Sequence, residues 1–334
     1  MWHAGGMQAV TVPEPGGPDR LSLADRPVPE PRADEALIRV VAAGINRADL
    51  LQRQGHYPPP PGASDVLGME CSGYVSALGS DAVNGRCTVG DPCLALLSSG
   101  GYAEHVTVPV GQLLAVPDGV DLVTAAGLVE VAATVVSNFD IAEVADGDVV
   151  LIHGGAGGIG SMAVQYAKAL GATVATTAGS PDKLAYCRSI GADLAISYRH
   201  DWIAAVRDLS GRRGVDVILD VMGATYLGEH VGLLATNGRL VVIGLQGGRQ
   251  GTLDLGRLLT VRGRVIATTL RSRPVAEKSA ICRRVEEAIW PLIGNGSIAP
   301  APQSRFRLAQ VGAAHTHLES GDNLGKVVLT VSRP

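Results

Sequence analysis

The sequence predicts an α/β chain in which a doubly wound parallel sheet is inserted into a β-rich module. Three observations carry that prediction. Short β-branched runs punctuated by proline and glycine fill the first 125 or so positions; a strand, turn, helix rhythm takes over from about position 129; and a Gly-x-Gly-x-x-Gly spacing falls between the first apolar strand of that second region and a helix. At 334 residues the chain exceeds the roughly 150 expected per domain. That leaves two domains or one large barrel, and allows a full core.

In order, the β-rich part reads as strands over Ala9 to Val12, Ala36 to Val41, Val66 to Val75, Cys93 to Leu97 and Tyr102 to Val108. Asn46 to Gln54 is the exception, because Leu50, Leu51 and the arginines suit a short helix ended by Gly55. The tract Pro58 to Pro61 then demands a stiff, extended loop. The second region places strands at Val149 to Ile152, Thr173 to Thr177, Leu194 to Ile196, Val215 to Leu219, Leu240 to Ile243 and Val265 to Ala267. Apolar strands alternating with helices indicate a parallel sheet covered on both faces. Ala276 to Ile293 predicts a helix and Lys326 to Val331 a last strand, which is expected to return to the first module. The domains are therefore expected at 1–124, 125–266 and 267–334, the outer two forming one body. No repeat of solenoid type is present.

Composition narrows the partners. Lys+Arg 28 against Asp+Glu 32 gives a net charge of −4 without any block of like charge, which argues against nucleic acid or an anionic membrane and favours a small, uncharged substrate. Five cysteines, Cys71, Cys87, Cys93, Cys187 and Cys282, are too scattered for a disulfide framework. A reducing cytoplasm fits them best. The longest apolar stretch, Val123 to Val136, is broken by Glu130 and falls short of the roughly 20 residues of a bilayer span. No basic region precedes an apolar run at the N-terminus, so no signal peptide is expected, and residues 1 to 6 read as an upstream start. Glycine, at 43 of 334, is near twice its usual share of about 7% and points to many tight turns.

The chemistry is concentrated after Val149-Val150-Leu151-Ile152. His153-Gly154-Gly155-Ala156-Gly157-Gly158-Ile159-Gly160 opens a helix that runs to Leu170. Gly155, Gly157 and Gly160 occupy the glycine positions, with Gly158 and Ile159 between them. Glycine there permits the tight turn, lets backbone N–H groups reach a pyrophosphate and lets the helix pack close to the strand. The alternative is a Gly-rich turn of any doubly wound domain. An NAD site would place Asp or Glu at the end of the second strand, about 20 residues on, to hold the ribose. That place reads Thr177-Ala178-Gly179-Ser180. Ser180 and Lys183 offer a hydroxyl and a cation at a helix start, which suits a 2′-phosphate and hence NADPH, and Tyr198 lies on the same side. Equally, Ser180 before Pro181 is an ordinary N-cap and Lys183 a solvated helix residue. Asp182 is the competing ribose ligand.

Gly68-Met69-Glu70-Cys71-Ser72-Gly73 resembles the Gly-His-Glu segment of the medium-chain dehydrogenase/reductase superfamily, and Val89-Gly90-Asp91 its Val-Gly-Asp turn. The resemblance covers nearly all of residues 7 to 331 and implies a Rossmann domain inserted into a GroES-like substrate domain. In that superfamily's alcohol dehydrogenases the segment's His and an earlier Cys bind catalytic zinc. Here Met69 and Asn46 stand at those places, and the four-cysteine structural lobe is absent. A thioether beside an amide makes no alcohol-activating zinc site, so no metal is expected.

Those departures resemble the zinc-independent, zeta-crystallin-like quinone oxidoreductases. Several segments are similar to the stress-inducible mammalian branch: Asn46-Arg47-Ala48-Asp49-Leu50, Gln52-Arg53-Gln54-Gly55, Pro59-Pro60-Pro61-Gly62, Leu270-Arg271-Ser272-Arg273 and Asn323-Leu324-Gly325-Lys326-Val327-Val328. By that similarity Asn46 and Tyr57 line the substrate cleft, and Thr134 with the 157–160 turn holds the phosphates. Gly244, Leu245 and Leu270 border the nicotinamide, which Asn323 and Lys326 approach from the returning segment. The same resemblance implies a homodimer joined through the edge strand Val265 to Ala267. The mammalian branch has an aromatic before its family Thr, where this chain has Ala132-Ala133-Thr134.

Plainer readings stand beside these. Asn46 also fits the cap of the helix it precedes, and Tyr57 a surface aromatic. His315-Thr316-His317 reads as a solvated pair on a surface helix. Cys71 reads as a small core hydrophobe and Glu70 as a buried, paired carboxylate. The activity expected is transfer of reducing equivalents from NADPH to a quinone, which is electrophilic enough to need neither metal nor strong acid. Positioning would carry it, with donor and acceptor roughly 3 to 3.5 Å apart in a water-poor cleft and Tyr57 and Asn46 donating to the quinone oxygen. Reduction of the C=C bond of an enone or enoyl thioester is the second reading, and an NADPH-binding structural or regulatory protein the third.

Overall fold

The computed structural model describes residues 6–82, 87–211 and 213–331; residues 1–5 of the expected upstream start lie outside them. In chain order the first stretch forms β1 (Gly6–Thr11), β2 (Ser22–Pro27), β3 (Glu35–Ile45), α1 (Arg47–Arg53), β4 (Glu70–Leu78), β5 (Pro92–Leu96), β6 (His105–Pro109), β7 (Leu113–Leu114), α2 (Leu122–Ala125) and α3 (Val129–Ala142). The middle adds β8 (Val149–His153), α4 (Gly158–Ala169), β9 (Thr173–Ala178), α5 (Pro181–Ser189), β10 (Leu194–Ser197), α6 (Trp202–Leu209) and β11 (Val215–Asp220). It continues with α7 (Leu227–Leu233), β12 (Leu234–Val242), α8 (Leu255–Val261) and β13 (Arg264–Ala267). Last come α9 (Val275–Ala288), α10 (Trp290–Gly294), β14 (Gln303–Arg307), α11 (Val311–Ser320) and β15 (Lys326–Thr330). The chain divides into two compact units, Met1–Ala133 with Leu270–Pro334, and Thr134–Thr269.

The first unit is built on a seven-stranded sheet in the order β14-β15-β3-β4-β5-β7, with β6 also paired to β3. The last strand β15 lies antiparallel to β3, Val327 opposite Ile45. β3 is the hub, and its second half is buried on both faces because other elements cover each side. Cys71, fully buried, belongs to the same apolar cluster as Ile38, Leu50 and Leu329.

The second unit holds a six-stranded parallel sheet in the order β10-β9-β8-β11-β12-β13. Val150, Leu151, Ile152, Val217 and Ile218 are all 0% exposed, the unbroken apolar run of strands with both faces covered. Successive connections leave β8 toward β9 and β10 on one side and β11 to β13 on the other. The carboxyl ends of β8 and β11 thus form the topological switch point at which doubly wound sheets bind ligands. No helix among the described residues is long and apolar enough to cross a membrane.

Several boundaries differ from expectation. Ala276 to Ile293 is not one helix: it breaks into α9 and α10 where Pro291 enters the first turn of the second, since proline lacks the N–H and crowds the preceding turn. Val66 to Gly68 precede their strand, their carbonyls accepting from the N–H groups of Gly100, Tyr102 and Gly101 at 2.8–3.0 Å. Gly68 takes φ +103°, and a Cβ there would lie 2.5 Å from the Tyr102 ring. The strand expected from Tyr102 accordingly begins at His105. β12 starts at Leu234, earlier than Leu240, and its register against β11 is irregular between Leu234 and Arg239.

His315 is the clearest correction. The helix around it forms, but His315 is 0% exposed, its ring edge-on to Tyr102 at 5.9 Å and its Nδ1 3.4 Å from the Arg53 guanidinium. Burial pushes its pKa down to about 3. His317, half-buried, meets Ser304 Oγ at 3.0 Å, so neither imidazole is simply solvated.

Candidate active site

In the second unit the turn after β8 is shaped by steric necessity. Gly154 adopts φ +73°. A Cβ on Gly155 would fall 2.1 Å from Thr176 Oγ1, and one on Gly160 would fall 2.2 Å from the Gly154 carbonyl. Gly157 is the N-cap of α4, with Gly158 its first residue and Ile159 half-buried behind it. The turn is closed by Gly157 N–H to Gly154 O at 3.0 Å and by Gly154 and Gly155 N–H to Thr177 O at 3.1 Å each. The opening N–H groups of such a helix have no partner within it and attract anions. This turn and the opening N–H groups of α4 could therefore hold a dinucleotide's pyrophosphate, and a side chain at Gly155 or Gly160 would collide with the backbone or strand behind it.

The end of β9 carries no carboxylate. Ser180 is the N-cap of α5, its Oγ accepting the Lys183 N–H at 3.4 Å, and Pro181 follows at the first helical position. Lys183 is half-buried and Asp182 exposed on the helix. Tyr198, 46% exposed, lays its ring against Gly179, where a Cβ would meet the phenol oxygen at 2.7 Å. The Arg199 guanidinium sits 5.8 Å from that ring. Beyond β12, Gly244 backs onto Val221, whose carbonyl a Cβ would meet at 2.8 Å, and Leu245 is 52% exposed. Thr134, nearly buried, gives its carbonyl to the Asn138 side-chain amide at 2.7 Å.

In the first unit the residues converge on Glu70. Its Oε1 accepts from Asn46 Nδ2 at 2.9 Å and Lys326 Nζ at 2.7 Å, and its Oε2 from the Glu130 N–H at 3.0 Å. Lys326 also donates to Asn46 Oδ1 and to the Ile45 carbonyl, the latter at 3.1 Å. Gly44 makes the space: a Cβ there would lie 2.2 Å from Glu70 Oε1. Asn46 sits at the N-cap of α1, its backbone N–H donating to Asp49 at 2.8 Å. The same Asp49 carboxyl takes the Tyr102 hydroxyl at 3.0 Å, and burial raises its pKa to about 6. Desolvation, then the neighbouring Glu70 charge, raises the half-buried Glu130 to about 8.

Tyr57 is held by Arg271, whose guanidinium stacks 5.2 Å over the ring and donates to the Tyr57 carbonyl at 3.2 Å. Arg271 also donates to the Ser98 carbonyl at 2.6 Å and to Gln52 Oε1. Leu270 is 9% exposed, and Asn323 turns its amide to the Gly325 carbonyl at 3.3 Å. Thus Asn46 and Lys326 touch directly, whereas Tyr57 belongs to the Arg271 clamp. Sequence reasoning missed Asp49, Glu130 and the clamp. Arg271 stood in the segment that marked the resemblance, but nothing in one sequence ties it to Tyr57. Among the described residues no group of three or more His, Cys, Asp or Glu is placed to hold a metal.

Comparison with known proteins agrees with this fold. Residues 32–118 match the alcohol dehydrogenase GroES-like domain family, and residues 158–286 the family described as zinc-binding dehydrogenase. A quinone oxidoreductase of Pseudomonas aeruginosa is 32% identical over 317 residues, covering 94% of this chain and 96% of that protein. The crystal structure of the quinone oxidoreductase of Pseudomonas syringae pv. tomato superposes with TM-score 0.88 at 28% identity, over 97% of this chain and 99% of that one. A mycobacterial protein solved in complex with NADPH gives TM-score 0.86 at 33% identity, with the same coverage.

Proposed function

The chain belongs to the medium-chain dehydrogenase/reductase superfamily, and from that premise we propose that it is a zinc-independent oxidoreductase passing reducing equivalents from NADPH to a quinone. The observation that carries the reading is the Asn46–Glu70–Lys326 cluster, an amide held by a buried ion pair at the place where an alcohol-activating enzyme needs a metal ligand. Similarity to quinone oxidoreductases over most of the chain points the same way. The compact unit Thr134–Thr269 supports residues 125–266 as the dinucleotide-binding domain.

NADPH, when bound, supplies the reducing equivalents; the residues described here bind, orient and polarise. The N-terminus of α4 and the glycine turn take the pyrophosphate, with Thr134 on the phosphates by resemblance. Ser180 Oγ and the Lys183 ammonium take the 2′-phosphate, and Tyr198 closes the side against Gly179. Gly244 and Leu245 border the ring. An amide nitrogen carries two hydrogens; one on Asn46 is spent on Glu70, leaving the second for a quinone oxygen. The Tyr57 hydroxyl is the second donor, fixed because Arg271 grips both its ring and its carbonyl. Donors aimed at an oxygen that gains charge lower the barrier most when they are held in advance.

The sheet edge β13 leaves Val265 39% exposed, and Leu259 and Leu255 of α8 are 78% and 63% exposed. An open, apolar edge invites pairing with a second copy, which supports a homodimer. The scattered cysteines support a reducing cytoplasm. The test is NADPH consumption over a panel of 1,4-benzoquinone, a cyclic enone and an enoyl thioester. Quinone is expected to be the fastest acceptor; consumption confined to the enone or thioester would overturn the substrate assignment.

A further inference from the structure

A buried chain of four polar side chains runs beneath the turn assigned to the pyrophosphate. Thr177 stands at the carboxyl end of β9, His153 at that of β8, Asp220 at that of β11, and His230 on α7. His153 Nδ1 lies 2.9 Å from Thr177 Oγ1 and His153 Nε2 lies 2.8 Å from His230 Nε2. His230 Nδ1 faces Asp220 Oδ2 at 3.8 Å. All four are 0–3% exposed. The rings of Trp202 and Tyr226 pack 5.0 and 5.2 Å from that of His153. The three strands are neighbours in the sheet, so the chain crosses under the switch point from one side to the other.

The positions of the protons follow from the geometry. Burial depresses both imidazoles, His153 to about 4 and His230 further, so each is neutral near pH 7 and carries one N–H. Two Nε2 atoms at 2.8 Å need one donor and one acceptor. Were His230 the donor, its bare Nδ1 would face the Asp220 carboxylate, lone pair against charge. With His153 as donor, His230 turns Nδ1–H toward Asp220, and His153 Nδ1 is left bare to accept the Thr177 hydroxyl proton. Only this order leaves no repulsive contact.

Its consequence reaches the turn. With its proton spent on His153, Thr177 Oγ1 is an acceptor toward Gly154 N–H, 3.4 Å away, while the Thr177 carbonyl takes the N–H groups of Gly154 and Gly155. At the other end Asp220 accepts from Met222 and Gly223 N–H at 2.7 and 2.8 Å, fixing the loop after β11. We propose that His153 and His230 are positioning residues, which hold the phosphate-binding turn in its receptive shape by ordering the proton on Thr177. The inference rests on the dinucleotide reading of that turn.

The test has a spectroscopic arm and a binding arm. Imidazole ¹⁵N shifts at neutral pH should report His153 with its proton on Nε2 and His230 with its proton on Nδ1. The opposite pair of tautomers would overturn the proposal. NADPH affinity, followed by nicotinamide fluorescence, should weaken up to about tenfold in Thr177→Val, the worth of one hydrogen bond. Thr177→Ser should bind like the wild type. His230→Phe should weaken binding similarly, and Thr177→Val with His230→Phe should be no worse than either alone, since one chain is cut twice. Wild-type affinity in Thr177→Val, or losses that add, would overturn it. If the tautomers are as stated but the wild type fails to bind NADPH, the dinucleotide reading has failed and takes the proposal with it.

Discussion

Lys326 Nζ lies 2.7 Å from Glu70 Oε1, with the lysine 5% and the glutamate 0% exposed. This ion pair ties the last strand, β15, to the start of β4 across β3 in the first unit's sheet. Removing one partner of such a pair strands a buried charge, at a cost of about 3 to 5 kcal/mol. Lys326→Met should therefore lower stability by that order in urea unfolding, and Glu70→Gln with Lys326→Met should recover part of the loss. A Lys326→Met variant as stable as the wild type would mean that the pair contributes nothing.

Lys183 offers the cleanest handle on cofactor choice. One charge-assisted hydrogen bond contributes about 1.5 to 3 kcal/mol, so Lys183→Ala should weaken NADPH by roughly tenfold to a hundredfold and leave NADH nearly unchanged. Ser180 is less clean, because it caps α5 and its loss also loosens the helix by about 1 kcal/mol. Equal weakening of both cofactors would return Lys183 to the role of a helix surface residue.

Acid should destabilise this fold early. The folded-state pKa of His153 is about 4 and that of His315 about 3, whereas unfolded histidine titrates near 6.5. Between those values the unfolded chain binds more protons, so the contribution of these two histidines is full above about pH 6.5 and is lost as pH falls toward 4. The change in thermal midpoint on going from pH 7 to 4.5 should be less unfavourable in His315→Gln than in the wild type; an identical change would show that this imidazole is not held neutral.

Glu130 works in the opposite direction. Its carboxyl is raised to about 8 in the folded chain, against about 4.3 in a free chain. The folded state keeps the proton longer, so stability falls as pH rises between these values. Glu130→Gln should raise the thermal midpoint at pH 9 and change it little at pH 4.5. The same gain at both values would trace the effect to something other than ionisation.

Much of this was legible in the sequence, and the exceptions have physical causes. The glycine turn was readable because its spacing has a steric origin, one glycine against Thr176 and another against Gly154. Glu70 was readable as a paired carboxylate from its glycine-bounded segment, but its partner Lys326 arrives only through the antiparallel pairing of β15 with β3. His315 was misread because the buried face of α11 is defined by Tyr102 and Arg53, which belong to distant segments. The expected single helix from Ala276 to Ile293 contains Pro291, which enters the first turn of α10 and is incompatible with an uninterrupted helix. His153 stood in plain view beside the glycines, yet its meaning depends on His230 and Thr177, which only the sheet order brings near.

The most direct test of the central claim is the initial rate of NADPH oxidation with 1,4-benzoquinone, by protein whose zinc content has been measured and then removed by chelation. Turnover that persists without zinc, and exceeds turnover with NADH, is the predicted result. Stoichiometric zinc with activity lost on chelation, or no oxidation with any quinone, would contradict it.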